Sequence, residues 1–131
     1  MKKIALILAV IVVSCNQKNM IITSNHIGDF VLGKKITKEF NTKSFDITLD
    51  NDKNIRSIIS RSKQYKTING FGIGTNLESI EKLSNYKRKE LNISKGTVSI
   101  GSIGKVVVYN DILFVDENND NLVDFVWIQR K

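Results

Sequence analysis

The stretch INGFGIGTNLESIEKL, residues 68–83, sets three glycines in front of an amphipathic segment and has a counterpart earlier in the chain. The counterpart is IGDFVLG, residues 27–33. Both copies follow the pattern Ile-x-x-Phe-x-(Leu/Ile)-Gly, which ends at Gly33 in the first copy and at Gly74 in the second. The chain therefore presents one local pattern twice.

The segments after the two copies also correspond. A helix-like segment comes next, at residues 34–40 in the first copy and 75–83 in the second. Alternating apolar runs around polar turns then predict antiparallel strands in both copies. We therefore expect one duplicated α+β domain over residues 26–131, with repeat units at about 26–66 and 67–131. Each unit would be a helix plus a β-meander, and together they would form one antiparallel sheet with the helices on one face.

The second helix-like segment carries a start signal. Thr75 is followed three residues later by Glu78, which is the spacing of a capping box that satisfies the first free backbone N–H groups of a helix. Leu77, Ile80 and Leu83 then form an apolar stripe. The first segment lacks this box and is shorter, so we expect at most two helical turns there.

The three glycines before this helix raise the question of a phosphate-binding loop. Such a loop places exposed backbone N–H groups at a helix start and usually carries a lysine with Ser or Thr. Residues 70–78, GFGIGTNLE, have no lysine and fit neither common glycine fingerprint. We interpret Gly74 as a residue that gives the backbone freedom at a turn.

The N-terminal residues MKKIALILAVIVVSC combine two lysines, an apolar run too short to span a bilayer, and the only cysteine. Residues 12–15, VVSC, resemble the lipobox of bacterial lipoproteins, in which the cysteine is acylated after signal cleavage. This resemblance implies a signal peptide at residues 1–14, a lipidated Cys15 and a tether through residue 25. Acylation would also remove a free thiol from an exported chain that has no partner for a disulfide.

Loss of Lys2 and Lys3 with the signal lowers the net charge from +7 to +5. A modest positive excess is compatible with anionic headgroups or an acidic protein face but selects neither. No basic-aromatic motif for nucleic acid is present. In the lipoproteins that the chain resembles, acidic residues after the cysteine favour other destinations, and Asn16–Asn19 contain none. We therefore expect an outer-membrane anchor that faces the periplasm.

The acidic run DENNDNLVD spaces Asp116, Asn118, Asp120 and Asp124 like the ligands of a calcium loop. The sixth and twelfth positions lack the glycine and glutamate of an EF-hand, and the flanking residues are typical of strands. The first unit also has a polar turn between its strands. A solvated hairpin turn is therefore the preferred interpretation, and a calcium-binding envelope protein is a third functional alternative.

Catalytic signals are weak. His26 is the single histidine, and no nucleophile, base and orienting residue can be named together. The basic residues of YKRKE, 86–90, are interpreted as a solvated helix end that complements the helix dipole. We therefore expect a non-enzymatic protein without a cofactor.

The apolar-x-x-Gly turn before a short helix and strands, present twice, resembles the small envelope domains of the BamE and β-lactamase-inhibitor-protein type. That resemblance implies a binding function. The first expectation is an immunity or inhibitor protein that masks a protein partner with its sheet face and loops, and the alternative is an envelope assembly or adaptor lipoprotein. The proline that often comes after the helix in those domains is absent, since this chain has no proline.

Overall fold

The computed structural model describes residues 20–84, 89–91 and 104–131. These residues form a mainly β fold with eight strands and one short helix. In chain order the elements are β1 (His26–Ile27), β2 (Phe30–Val31), β3 (Phe45–Leu49), β4 (Ile55–Ser60), α1 (Leu77–Glu81), β5 (Lys89–Leu91), β6 (Gly104–Tyr109), β7 (Ile112–Asp116) and β8 (Phe125–Gln129).

Six of the strands form one antiparallel sheet in the order β3-β4-β8-β7-β6-β5. The strands β1 and β2 pair with each other in a separate two-stranded sheet. The central strands β4 and β8 come from different halves of the chain and are joined in register, with Ile58 opposite Ile128. The two halves therefore share one sheet.

Side chains on both faces of the large sheet are buried, as the continuous apolar runs of β7 and β8 indicate. The larger core lies on one face and includes Phe114, Val126 and Ile128. The alternate residues, among them Val115 and Phe125, form a smaller cluster on the other face. Successive residues of a strand point to opposite faces, so each run of apolar residues serves both clusters.

The larger core is closed by segments outside the sheet. Ile27 and Phe30 of the β1–β2 hairpin are buried there, as are Leu77 and Ile80 of α1. Edge-on aromatic contacts extend the packing, with the Phe71 ring centroid 6.2 Å from that of Phe114. Burying one such side chain stabilises the fold by roughly 1.5–3 kcal/mol.

The expected α+β architecture of tandem helix-plus-meander units is wrong. The described residues contain one helix, α1, and it is five residues long. No helix forms over residues 34–40, although these residues are described. The fold is therefore mostly β, without a layer of helices on one face of the sheet.

Long-range contacts explain why the first helix-like segment stays irregular. The Lys34 carbonyl accepts a hydrogen bond from the Ile55 N–H at 2.7 Å, so the backbone is committed to β4 from the start of the segment. Phe40 packs edge-on against Phe30 at 5.6 Å between centroids. Without a capping residue, so short a segment gains more from these contacts than from helical hydrogen bonds.

The capping box at the second segment is also wrong. Asn76 is the N-cap, and its side-chain oxygen accepts from the Glu78 N–H at 2.9 Å. The Thr75 hydroxyl binds the turn before the helix instead, where its Oγ1 accepts from the Gly72 N–H at 2.9 Å. Asn and Thr are both good caps, so the local sequence alone could not decide between them.

At the start of the described chain, Ile22 is buried in the larger core, and its N–H donates to the Lys66 carbonyl at 2.9 Å. Residues at the end of the expected tether thus pack with the domain. The expected signal peptide, Cys15 and Asn16–Asn19 lie outside the described residues, and so do residues 86–88 of the basic run.

Candidate functional site

The two ends of the large sheet differ in the residues they carry. At one end lie the β3–β4 turn, the β6–β7 turn and the last residues of β8, and we call this the groove end. At the other end lies the β7–β8 turn, residues 117–124, and we call this the Asp-turn end. The antiparallel order of the strands places the two ends about 20 Å apart, at roughly 3.3 Å for each residue of a six-residue strand.

At the Asp-turn end, the structure brings together the residues whose spacing resembles that of a calcium loop. One carboxylate oxygen from each of Asp116, Asp120 and Asp124 lies within 4.8 Å of the other two. Asn118 joins them, since its amide nitrogen donates to the Asp124 Oδ1 at 3.0 Å. The four residues that the spacing singled out therefore converge.

Backbone N–H groups already bind these carboxylates. The Asp116 Oδ1 accepts from the N–H groups of Asn118 and Asp120 at 3.1 and 3.2 Å, and its Oδ2 accepts from Asn121 at 2.8 Å. The Asp124 Oδ2 accepts from the backbone N–H groups of Glu117 and Asn118, and the Asn118 N–H is shared with Asp116. The carboxylates therefore act as internal acceptors that hold the turn closed.

The pKa values of Asp116 and Asp124 shift in opposite directions in this turn. Burial raises the pKa of Asp116, but the N–H groups of Asn121, Asp120 and Asn119 outweigh it and hold the pKa below its usual value. Burial also raises the pKa of Asp124, and there it prevails over the hydrogen bonds from Asn118 and Glu117. The nearby charges of the other aspartates raise the pKa of Asp124 further.

The first half of the chain contains the same turn without the cluster. The Asp50 Oδ1 accepts from the N–H groups two and four residues on, those of Asp52 and Asn54, at 2.9 Å each. The third residue after the aspartate has a positive φ in both turns, 64° at Lys53 and 62° at Asn119. Closing a β-hairpin is thus a shared role of Asp50 and Asp116.

At the groove end, loops from three parts of the chain enclose a groove of about 510 Å³. Its walls are residues 21–24, residues 67–69 and the β6–β7 turn at residues 109–112. Ile68 stands on the rim with 90% of its surface exposed, the most exposed of the large apolar side chains described. Clefts lined mainly by apolar side chains with a few polar groups are typical binding sites.

Ile68 is held in this exposed position by a closed turn. The Thr67 N–H donates to the Phe71 carbonyl at 2.8 Å, and the Thr67 Oγ1 accepts from the Phe71 N–H at 3.1 Å. Gly70 closes the tip with a φ of +85° and an N–H bonded to the Thr67 carbonyl. A rigid turn of this kind lowers the entropy cost of binding.

The groove has little net charge. Asp111 is the one charged residue of its lining, and its carboxylate pairs with the Lys131 ammonium at 3.0 Å. The remaining lining is apolar, hydroxyl or amide. A second cavity of about 350 Å³ adjoins it, sharing Ser24 and Asp111. This lining suits an uncharged, partly apolar segment of a partner.

The glycine N–H groups of the opening stretch bind within the chain. Those of Gly70 and Gly74 donate to the carbonyls of Thr67 and Val123, both at 2.8 Å, and that of Gly72 donates to the Thr75 hydroxyl. None of these three N–H groups is therefore left to bind a phosphate.

At the other candidate residue, His26, the Nδ1 atom is buried and has no hydrogen-bond partner among the described residues. His26, the one histidine of the chain, does not line the groove.

Comparison of the chain with models of protein families, with curated proteins and with solved structures gives no match. Within the part of the chain that the structure describes, no helix has the length and apolar character needed to cross a membrane.

Sequence reasoning missed the groove. The duplication aligns Ile68 with Ile27, which is fully buried, so the repeated pattern does not show that Ile68 is exposed. The available signal was local: Ile68 directly precedes Asn-Gly, a dipeptide that favours tight turns, and turn tips lie at the surface.

Proposed function

We propose that the chain is a lipid-anchored, non-enzymatic binding protein of the bacterial cell envelope, which uses the groove end to mask a protein partner. The observation that carries this proposal is the exposure of Ile68 on a closed turn at the rim of the groove. The lipobox-like residues ending at Cys15 support the anchor, and the absence of acidic residues at Asn16–Asn19 supports an outer-membrane location facing the periplasm.

The groove has the features of a small binding hot spot. Ile68 offers an apolar anchor, Tyr109 adds a half-buried aromatic ring, and Asn69 and Asn110 add neutral hydrogen-bonding groups at the rim. Apolar and aromatic anchors surrounded by polar groups dominate the energetics of protein interfaces. A binding role therefore explains why a large apolar side chain is displayed to solvent.

The residues that line the groove support catalysis less than they support binding. Its ionisable residues are Tyr109 and Asp111, and Asp111 is paired with Lys131. A nucleophile with an adjacent base is the usual arrangement of a hydrolytic or transfer site. An immunity or inhibitor role needs only a surface that competes for the partner's own site, which this lining can supply.

Site-specific photocrosslinking tests the proposal. A photoreactive amino acid at position 68 in the full chain, made in the bacterium that produces it, should give a discrete protein adduct after irradiation. Position 83 is the matched control, because Leu83 is also an exposed apolar residue, at 54%. Equal adducts at both positions, or none at position 68, would contradict a binding role for the groove.

The adduct also separates the two forms of the proposal. A toxin or an enzyme that loses activity on binding identifies an immunity or inhibitor protein. A constant component of an envelope assembly identifies an adaptor. Mass spectrometry of the adduct decides between them.

A further inference from the structure

We propose that two basic segments, residues 34–43 and 61–66, form one surface that binds the anionic headgroups of the bilayer, and we call it the basic surface. This inference rests on the proposed membrane anchor. Its basis is the place where the fold collects the positive charge of the chain, and the distance of that place from the anchor.

The basic surface holds the whole positive excess of the chain. Residues 34–43 and 61–66 contain seven basic residues and one acidic residue, and all eight are exposed. Their net charge is +6, while the other described residues, with seven basic and twelve acidic side chains, carry −5. Three more basic residues lie outside the described residues, at 85–88 and 92–103, and reduce that value to −2. The domain is therefore positive on the basic surface and net negative over the rest.

The two segments are separate in the sequence, and aromatic packing joins them. The Phe30 ring lies 5.6 Å from that of Phe40 in the first segment, and the Phe45 ring lies 5.2 Å from that of Tyr65 in the second. Phe30 and Phe45 contact each other at 5.3 Å between centroids, and both are buried. The core therefore holds the two basic segments next to each other.

Most of these cations have no acidic partner. Lys38 pairs with Asp29 at 2.8 Å, and Arg61 pairs with Glu117 at 3.2 Å. Five lysines of the basic surface form no ion pair with any described residue: Lys34, Lys35, Lys43, Lys63 and Lys66. Their ammonium groups are free to bind lipid phosphates, and clusters of lysine beside a membrane anchor are attracted to anionic lipid.

The first segment also offers apolar surface. Ile36 and Phe40 are half-buried and line a shallow hollow of about 570 Å³ together with Lys38 and Thr42. Apolar and basic groups side by side are the composition that binds at the headgroup region of an anionic bilayer. The hollow therefore gives the lysines an apolar contact with the same bilayer.

The basic surface lies within reach of an anchored bilayer. The Lys66 N–H donates to the Met20 carbonyl at 3.1 Å, so the described chain begins beside the second segment. Five residue steps separate Met20 from Cys15 and span at most ~18 Å when fully extended. An acylated Cys15 therefore keeps Met20 and Lys66 within about that distance of the headgroups, whatever course the residues between them take.

The charge distribution then decides which side of the domain turns to the lipid. The anchor holds anionic lipid at a high effective concentration beside the domain, which a soluble acidic protein lacks. The basic surface is attracted to this lipid, and the net negative remainder of the domain is repelled. The bilayer is therefore the partner that the position of these lysines favours.

Fluorescence quenching on vesicles tests the basic surface. The full chain carries an uncharged fluorescent amino acid at position 42 or 79, is recovered from membranes and is reconstituted into vesicles that contain a lipid with a nitroxide on its headgroup. The vesicles consist of phosphatidylcholine, with or without phosphatidylglycerol. Thr42 is an exposed residue of the first segment, and Ser79 is an exposed residue of α1, which contacts β6 near the opposite edge of the sheet from β3.

We expect roughly twofold more quenching at position 42 than at position 79 on vesicles with phosphatidylglycerol. The difference should disappear on phosphatidylcholine alone and at about 0.5 M salt, because salt screens exposed charges. A triple variant that removes three charges of the basic surface should lower the quenching at position 42: Lys35→Gln, Lys43→Gln and Lys63→Gln. The matched control removes three charges outside it and should leave the quenching unchanged: Lys53→Gln, Lys82→Gln and Lys131→Gln.

Equal quenching at positions 42 and 79, or quenching that does not depend on phosphatidylglycerol, would overturn the basic surface while leaving the anchor intact, and an acidic protein would become its partner. An equal effect of the two triple variants would overturn it as well. A chain that does not float with the vesicles would refute the anchor, and with it both this inference and the envelope proposal.

Discussion

Ile59 and Trp127 lie directly opposite each other where the central strands β4 and β8 meet. On either side of this pair, the two halves of the chain make matching hydrogen bonds. In the first half, the Gly33 N–H donates to the Ile55 carbonyl at 2.8 Å, and in the second, the Gly74 N–H donates to the Val123 carbonyl at 2.8 Å. Each glycine motif thus binds the backbone at the start of β4 or just before β8, the central strand of its own half.

Ion pairs connect the halves in the same reciprocal way. Arg61, just after β4, pairs with Glu117 of the β7–β8 turn at 3.2 Å. Arg130, just after β8, pairs with Asp50 of the β3–β4 turn at 2.9 Å. Each central strand therefore ends beside the turn of the other half, although partly exposed pairs of this kind add less than about 1 kcal/mol each.

The turn glycines provide the first prediction. Gly33 and Gly74 have φ values of +81° and +85°, and an added Cβ would have no contact closer than 3.9 Å. Only the backbone conformation should therefore oppose alanine, and we expect Gly33→Ala and Gly74→Ala to cost about 1–2 kcal/mol each in urea unfolding. Gly74→Asn should cost less, because asparagine tolerates this conformation. Unchanged midpoints for both alanine variants would refute equivalent turns.

Ile27 and Ile68 provide the second prediction, as aligned residues with opposite environments. Ile27 is fully buried, and Ile27→Ala should lower the free energy of unfolding by about 2–5 kcal/mol. Ile68→Ala should change it by less than about 0.5 kcal/mol, because the side chain is 90% exposed. Denaturant titration of the two variants measures the difference, and a large loss at position 68 would contradict its role as a surface residue.

The third prediction concerns Asp116 and pH. Asp116→Asn removes the negative charge and replaces one of the two oxygens that accept from three backbone N–H groups by an NH2 donor, and it should cost on the order of 2 kcal/mol near neutral pH. The pKa of Asp116 is lower in the folded state, so its stabilisation is present above the unfolded pKa of about 3.9 and is lost as pH falls through the folded-state pKa. The difference from wild type should shrink on acidification.

Asp124 is the control for that titration. Its pKa is raised in the folded state by burial, so its contribution is largest below the unfolded pKa and falls as pH rises through the folded-state pKa. The difference between wild type and Asp124→Asn should therefore be greatest at acidic pH. The same pH trend for both variants would contradict the opposite pKa shifts of Asp116 and Asp124.

The fourth prediction concerns calcium at the three converging aspartates. Backbone N–H groups occupy oxygens of Asp116, Asp120 and Asp124, and a cation would have to replace these bonds. Calcium should therefore leave the melting temperature within about a degree, whereas binding at a hundredfold excess over Kd would add ~2.7 kcal/mol. A clear stabilisation that Asp120→Ala abolishes would establish a calcium site instead.

The fifth prediction is lipidation of Cys15. Growth with an alkyne fatty acid should label the wild-type chain, and Cys15→Ser should lose both the label and membrane association, because serine offers no thiol for the thioether. A serine variant that stays labelled would show that the lipobox interpretation is wrong. Asn16→Ser is a matched control, since it alters the next residue and keeps the thiol.

The strand segments and the turn aspartates could be predicted from the sequence because their signals are local. Continuous apolar runs in β7 and β8 are typical of strands with two buried faces. An aspartate before a polar turn can bind N–H groups two and four residues away wherever the turn lies. The spacing of Asp116, Asn118, Asp120 and Asp124 resembles that of a calcium loop, and although the sequence favours a solvated hairpin turn, the structure brings these side chains together within that turn.

Helix content and exposure depended on tertiary contacts. Residues 34–40 have helical spacing, but the Lys34 carbonyl binds β4 and Phe40 packs on Phe30, and these contacts outweigh a weak local preference. Ile27 and Ile68 occupy the same place in a repeated pattern, yet one is covered by the core and the other stands beyond the end of the sheet. Burial depends on what the rest of the chain places against a residue, and a repeated local pattern carries no information about that neighbour.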